Sequence, residues 1–332
     1  MPLFTRYLSL ILTYSNRRNK LPAKQPKIKT QDSKSSVSIK YAFSGHDTFH
    51  CRNWWLKKGY DFIKKGGKFF DDGAVVELGV GKNMVASINF WMKAFGLIDK
   101  TNDLTDFAKY IFDDGGKDPY LEDEATPWLL HYQLITQNVA SIYGLIFNEF
   151  RREKIEFTKD NFIAFVTRKA DELNIPKISR NTLSTDFEVL TKMYIRTDAQ
   201  SKDKEDTFSG LLTELNIIHE EKRKEDDKTF TFYSIPTDEK YEIPEEVLLY
   251  AIVDKGLSQF SVNLYTLEQE RDQVGSVFAI SKTALLNKIQ SMLAINKLKK
   301  YGMSFNDHAG IKELQFKIKP NKFDILDIYY DK

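Results

Sequence analysis

Residues 83–95 place Met84, Ile88, Trp91, Met92 and Phe95 at helical spacing between two glycine turns. That spacing predicts an amphipathic helix whose apolar face must find a core. Gly79-Val80-Gly81 supplies the turn before it, and Gly96 is a natural left-handed cap at its end. Lys82, Ala86, Asn89 and Lys93 fall on a different stripe, small and polar. Leu97, Ile98 and Leu104 flank a polar turn at 99–103, and a second helix is predicted over 105–112. Helix, tight turn, helix and short hairpin is the order of a winged helix-turn-helix. In that reading Lys82, Asn83, Asn89 and Lys93 reach phosphates and base edges, while small residues admit the DNA backbone. The same shape also serves protein–protein contact.

The pattern repeats loosely along the chain. A helix is predicted over 53–65, with Trp54, Trp55, Phe62 and Ile63 as apolar anchors and Gly66-Gly67 as its stop. An acidic loop occupies 113–124. Helices are predicted at 127–137, 140–152 and 158–172, the last with Thr158 as N-cap. A second round takes helices at 179–193 and 208–215, then a hairpin through Ile217-Ile218 and 229–233, turned at Glu225-Asp226-Asp227. Lys222, Arg223, Lys224 and Lys228 stand there either as wing cations or as a solvated tip among acids. A third round takes helices at 244–254 and 281–296 and strands at 299–305 and 311–319, joined by a turn at 306–310. The predicted fold class is mainly α (α+β), with multiple helix-turn-helix or winged-helix-like modules and small β-hairpins. The predicted domains are 41–135, 136–240 and 241–332. A basic stretch at 1–40 precedes them and reads as a disordered arm or an over-extended start.

With 49 Lys and Arg against 47 Asp and Glu, the net charge is only +2, so attraction for nucleic acid must come from local surface. Cys51 is the single cysteine, which excludes an internal disulfide and a cysteine-cluster zinc site and fits a reducing cytoplasm. The apolar residues 3–14, interrupted by Arg6, fall short of the roughly 20 needed to span a bilayer. A cytoplasmic protein without a membrane partner is expected.

Three polar clusters could carry chemistry. In Gly45-His46-Asp47-Thr48-Phe49-His50-Cys51-Arg52, the two histidines have the spacing of a helical zinc pair, but Gly45 works against a helix there and Asp reaches a metal-bound water poorly. The better reading is a polar loop in which His46 and Asp47 assist proton transfer and Arg52 binds phosphate. The plain alternative has Asp47 capping the next helix and His46 satisfied by backbone. Gly79-Val80-Gly81-Lys82-Asn83 mimics a nucleotide phosphate loop, yet Val76 stands where its first glycine belongs and Asn83 where Ser or Thr would hold magnesium. No nucleotide cofactor is expected. Gly79, Gly81, Lys82 and Asn83 still form a helix start suited to an anion such as a DNA phosphate. In Asp118-Pro119-Tyr120-Leu121-Glu122-Asp123, the carboxylates Asp118, Glu122 and Asp123 would hold Mg2+ or Mn2+ for phosphodiester cleavage, although acidic loops are ordinarily just solvated.

Taken together, the motifs resemble a bacterial domain-of-unknown-function family of SspB type. The likeness lies in Phe43-Ser44-Gly45-His46-Asp47-Thr48-Phe49 with Arg52 and Trp55-Leu56-Lys57-Lys58-Gly59-Tyr60-Asp61. It continues in Leu78-Gly79-Val80-Gly81-Lys82-Asn83-Met84-Val85 with Trp91 and Ala94-Phe95-Gly96-Leu97-Ile98, and in Asp118 to Asp123 with Thr126 and Trp128-Leu129-Leu130-His131. It runs from about residue 41 to near the C-terminus and is densest in the first third. The resemblance implies a component of single-strand DNA phosphorothioation and anti-phage defence. Implied partners are DNA, a phosphoadenosine-phosphosulfate-reductase-like enzyme, a cysteine desulfurase and an ATPase, and the implied activity is DNA nicking. It assigns no catalytic residues. Two readings follow: a metal-dependent nicking subunit using the three clusters in one groove, or a non-catalytic DNA-binding adaptor that recruits the sulfur-transfer partners.

Overall fold

A computed structural model describes residues 41–196, 210–225, 228–257 and 260–331. The arm expected at 1–40, the start of the helix expected at 208 and the turn residues 226–227 lie outside these residues. The N-terminal part is built from α1 (Trp55–Lys64), α2 (Ala74–Leu78), α3 (Lys82–Ala94) and α4 (Asp106–Phe112). The apolar face of α3 buries Val85, Ile88, Trp91 and Met92. Gly59 lets α1 approach that face, since a Cβ there would sit 2.9 Å from the Met92 sulfur. Gly96 takes φ +65 after α3, as its place in the sequence predicts. The Ile98–Leu104 bridge closes the polar turn, and the Thr105 hydroxyl accepts from the Ala108 amide to start α4. Among the described residues no strand lies between α4 and α5 (Ala125–Gln137), where the expected wing would stand. The loop 113–124 leads straight into that helix.

Helix α5 is the axle of the molecule. Ten of its 13 residues are buried, and a helix apolar on all sides has to be enclosed. Its buried polar groups reach three other helices. Tyr132 donates to Asp254 (2.8 Å) and Gln133 to the Tyr250 hydroxyl (3.1 Å). His131 is fully buried, with Nδ1 2.7 Å from the Tyr194 hydroxyl and Nε2 2.8 Å from the Val277 carbonyl. A carbonyl only accepts, so Nε2 carries the proton and Nδ1 accepts from Tyr194. Burial holds the imidazole down at about 4.

Two further rounds share one topology. The first runs through α6 (Ser141–Leu145), a π turn at Ile146–Phe150, α7 (Arg151–Glu153), β1 (Glu156–Phe157), α8 (Lys159–Glu172), α9 (Arg180–Tyr194), β2 (His219–Glu225) and β3 (Lys228–Ser234). Its sheet order is β1-β3-β2, all antiparallel. The second runs through α10 (Glu245–Asp254), β4 (Ser261–Asn263), α11 (Leu264–Gln269), α12 (Val274–Val277), α13 (Lys282–Ala294), β5 (Ser304–His308) and β6 (Ile311–Gln315), with sheet order β4-β6-β5. In each, a short strand after the first helix pairs with the last strand of the hairpin. A final helix, α14 (Lys322–Tyr330), packs on α10. Thr158 caps α8 through a full capping box with Asn161, and Ser179 and Ser281 cap α9 and α13. The buried Arg151 ties the two rounds together, donating to the carbonyls of Phe147 and Gly275 and to the Thr237 hydroxyl.

The fold is therefore mainly α with two small antiparallel sheets. The strand expected at 299–305 is corrected: Asn296–Tyr301 is a 3-10 helix, and the strand starts at Ser304. Leu298 and Tyr301 are both buried, and their spacing of three suits one edge of a 3-10 helix rather than an alternating strand. The hairpin likewise starts at His219, after the buried Ile217 and Ile218.

Protonating His131 must cost stability. An unfolded chain takes that proton near its ordinary value of about 6.5, whereas the fold resists it until about 4. The stability due to His131 is thus complete above that ordinary value and lost as pH falls toward the folded one, on the order of 3 kcal/mol in all. Urea unfolding at neutral and acid pH should show His131→Gln losing this part of the wild type's acid sensitivity. Equal acid losses in both proteins would contradict the assignment.

Candidate nucleic-acid groove

The loop 43–52 is fastened at many points. The Ala42 amide donates to Ser141 Oγ (2.8 Å), and the Ser44 amide to the buried carboxylate of Asp186 on α9 (2.9 Å). Gly45 takes φ +104 under the Phe90 ring, where a Cβ would meet carbon at 2.8 Å. His46 is 1% exposed. Its Nδ1 lies 3.0 Å from the Asp47 carbonyl, its Nε2 lies 3.3 Å from Asp186 Oδ1, and its ring stacks on Trp91. The His46 carbonyl accepts from Ser87 Oγ (2.8 Å), and the Phe49 carbonyl from Trp91 Nε1 (3.1 Å). Both His46 nitrogens face oxygens of the protein, so the ring holds the loop between α3 and α9. Asp47, at φ +55, is exposed at the loop surface. Arg52 is half-buried with its guanidinium 5.4 Å from the Trp55 ring.

Helix α1 links the other two clusters. Its first turn brings Trp54 against Tyr120 of the acidic loop, ring centroids 6.3 Å apart and edge to face. Further along, Lys58 Nζ donates to the Leu78 carbonyl at the end of α2 (3.1 Å), next to Gly79. Between these contacts lies a cavity of about 580 Å3, walled by Trp54, Tyr120 and Leu78, with Lys57, Lys58 and Lys65 set against the acids Asp61 and Glu77. Trp54 is 61% and Tyr120 58% exposed, an unusual placement for large aromatics. Lys57 is paired with Asp61 at 2.6 Å, and its ammonium also sits 6.0 Å from the Tyr120 ring centroid. Trp54 is thus corrected from core anchor to groove wall. It shares the outer face of α1 with Lys58, Asp61 and Lys65, while Trp55, Leu56, Gly59, Tyr60 and Phe62 turn inward.

The glycine turn is open. A Cβ at Gly79 or Gly81 would meet nothing within 4 Å, and no side chain caps the start of α3. Lys82 and Asn83 are exposed there, so the helix start faces solvent with its amides available. Farther along the same stripe, Asn89 is 7% exposed and Lys93 half-buried. Only the first turn of α3 offers the polar surface read from the sequence.

The carboxylates of the third cluster each do something different. Asp118 is 6% exposed, and its two oxygens accept from the amides of Glu122 (2.8 Å) and Asp123 (3.1 Å). Asp123 accepts from the Ala125 amide (2.8 Å) at the start of α5 and from the Tyr329 hydroxyl. Glu122 points to solvent. Among the described residues no three His, Cys, Asp or Glu side chains are grouped to hold a metal ion. Two of the four wing cations are neutralised in place: Lys222 pairs with Glu220, and Arg223 with Glu156 and Glu221.

A family model described as "Protein of unknown function (DUF4007)" matches residues 43–330. Two solved structures are similar over 88% of this chain and 88% of their own. "SspB crystal structure" has 26% identity and a TM-score of 0.73, and "Magnesium ion-bound SspB crystal structure" has 25% identity and a TM-score of 0.74. No curated protein matches the sequence. The magnesium belongs to that relative. In this chain Asp118, Glu122 and Asp123 do not fit a shared ion, because two of the three are engaged by backbone amides and the third faces away into solvent. No helix among the described residues is long and apolar enough to cross a membrane.

If Asp118 is a turn-holding residue, Asp118→Ala takes the acceptor from the Glu122 and Asp123 amides and costs about 1 kcal/mol for each hydrogen bond lost. Asp118→Asn, which keeps one acceptor oxygen, costs less. Denaturant midpoints check this. A fully stable Asp118→Ala protein would overturn the structural role.

Proposed function

Since the chain belongs to the DUF4007 family and is of SspB type, we propose that it is the DNA-binding component of a bacterial DNA phosphorothioation system acting in anti-phage defence. The observation that carries this reading is the groove beside α1. Every base has a π face, so an exposed Trp54–Tyr120 pair suits bases of an unpaired strand without demanding a sequence. Lys58 and Lys65 supply charge for its phosphates, and the open start of α3 with Lys82 and Asn83 extends the same character past Gly79. The repeated order of helix, strand, helices and hairpin, with two helices after the strand in one round and three in the other, supports winged-helix modules in both later rounds, with Arg180 and Asn181 exposed at the start of α9.

Of the two roles, the adaptor has the stronger support. It presents a strand to the phosphosulfate-reductase-like enzyme, the cysteine desulfurase and the ATPase. A single-site nickase would need His46 or Asp47 to move a proton beside ions held by Asp118, Glu122 and Asp123. His46 is enclosed by Trp91 and Asp186, and the Asp118 oxygens are taken. His46 and Asp186 are positioning residues in this reading, and Arg52, Lys82 and Asn83 are phosphate contacts.

Fluorescence anisotropy with a labelled single strand tests the groove. Trp54→Ala with Tyr120→Ala should lower affinity at least tenfold, since stacking is worth about 1–3 kcal/mol per base. Lys58→Gln and Lys65→Gln should weaken binding less and flatten its salt dependence. Unchanged affinity in the aromatic double variant would refute the groove. Incubating the pure protein with supercoiled plasmid and Mg2+ or Mn2+ separates the roles: the adaptor leaves the plasmid intact. Nicking that disappears in His46→Ala would reinstate the nickase.

A further inference from the structure

Two acid-free stretches meet on the surface of the last round. Residues 295–303 carry Lys297, Lys299 and Lys300, and residues 316–323 carry Lys317, Lys319 and Lys322, with no Asp or Glu in either. The first stretch forms the 3-10 turn after α13, and the second is the chain leaving β6. Backbone bonds join them, for the amides of Lys317 and Ile318 both donate to the Tyr301 carbonyl at 3.1 and 3.2 Å. The Lys317 stem lies against Gly302, where a Cβ would stand 2.8 Å from its Cδ. Lys322 pairs with Asp254. The other five are exposed, and among the described residues none of them has a carboxylate within 4.0 Å. Lysines elsewhere are often spent: Lys57 on Asp61, Lys64 on Asp113, Lys117 on Asp331. Lys299 donates to Asn296 (2.8 Å) and Lys300 lies over the Tyr301 ring, neither of which cancels charge, so in a chain of net charge +2 the five lysines make a local positive field.

We propose that Lys297, Lys299, Lys300, Lys317 and Lys319 seat the phosphate backbone of duplex DNA, at a surface distinct from the groove that takes an unpaired strand. This rests on the DNA-binding reading above. The partner follows from what the surface lacks. Of its aromatic rings, Tyr301 and Phe316 are 5% and 6% exposed and the half-buried Phe323 is stacked on Tyr110, so none is laid open for a base. Lysines meet phosphates as point charges without reading base edges. A duplex presents one charge per about 1.7 Å of axis, against about 3.4 Å for one of its strands, so it offers such a surface twice the charge per length.

The test uses the full chain with a labelled duplex and a labelled single strand, each titrated across a salt series. A Lys297→Gln, Lys300→Gln, Lys317→Gln triple variant should bind duplex at least tenfold more weakly. Its slope of log affinity against log salt should fall by about 2–3, at roughly 0.9 for each phosphate that is no longer neutralised. Single-strand affinity should stay within about threefold of wild type, because the strand's bases sit elsewhere. The matching Lys→Arg triple keeps the charge and should restore both duplex affinity and slope, which separates electrostatics from misfolding. Unchanged duplex affinity and slope in the Gln triple overturns the proposal and leaves the patch to an acidic protein. Equal losses on both probes, or a wild type that binds no duplex, overturn it as well. Failure of the groove reads out separately, as full single-strand affinity in the Trp54→Ala, Tyr120→Ala protein.

Discussion

Everything in this molecule is arranged around the need to enclose α5. A helix with ten buried residues, His131, Tyr132 and Gln133 among them, survives only if each polar group finds a partner in the dry interior. Those partners come from α9, α10 and α12, so satisfying one helix sets where the two later rounds stand. The start of the same helix is tied down by Asp123, and Thr126 shares a hydrogen bond with Tyr330 of α14 (2.7 Å). The acidic loop that carries Tyr120 is therefore a rigid extension of the core. Tyr120 stays exposed beside Trp54 because its loop is held from behind.

The same economy explains the motif residues that make no obvious contact with solvent. His46, Ser87, Trp91 and Asp186 connect the N-terminal loop to two helices through one stacked ring and a set of short polar contacts. Asp118 gives its carboxylate to two amides in a loop where Leu121 is forced to φ +58. Polar clusters dense enough to suggest an active site can thus be scaffolding that shapes a groove whose working surface is elsewhere. What remains exposed at that groove is two aromatic rings and a set of lysines, with Asp61 and Glu77 among them; rings and cations are what a nucleic-acid strand uses.

Much of this is legible in the residues. The helical spacing of Met84, Ile88, Trp91 and Phe95 locates α3, and Thr158, Ser179 and Ser281 mark helix starts that the structure caps through their hydroxyls. The motifs also carry the SspB likeness that the solved structures bear out. Other features depend on partners far along the chain. β1 and β4 are two and three residues long and exist because β3 and β6 pair with them, which no local pattern announces. The outward turn of Trp54 is hidden because a tryptophan beside a helix start reads as core until the face shared with Lys58 and Lys65 is traced. For α14, Asn321 after Pro320 is a readable N-cap, but the run that follows it is short and stands beside the stronger hairpin signal.

The placement of an unpaired DNA strand against the exposed faces of Trp54 and Tyr120 is the claim on which the functional reading turns. A single strand carrying 5-iododeoxyuridine, photo-crosslinked to the full chain and mapped by mass spectrometry, addresses it without any substitution. Adducts are predicted on Trp54 or Tyr120. Adducts confined to α9 and the β2–β3 hairpin, with none on either ring, would contradict that placement.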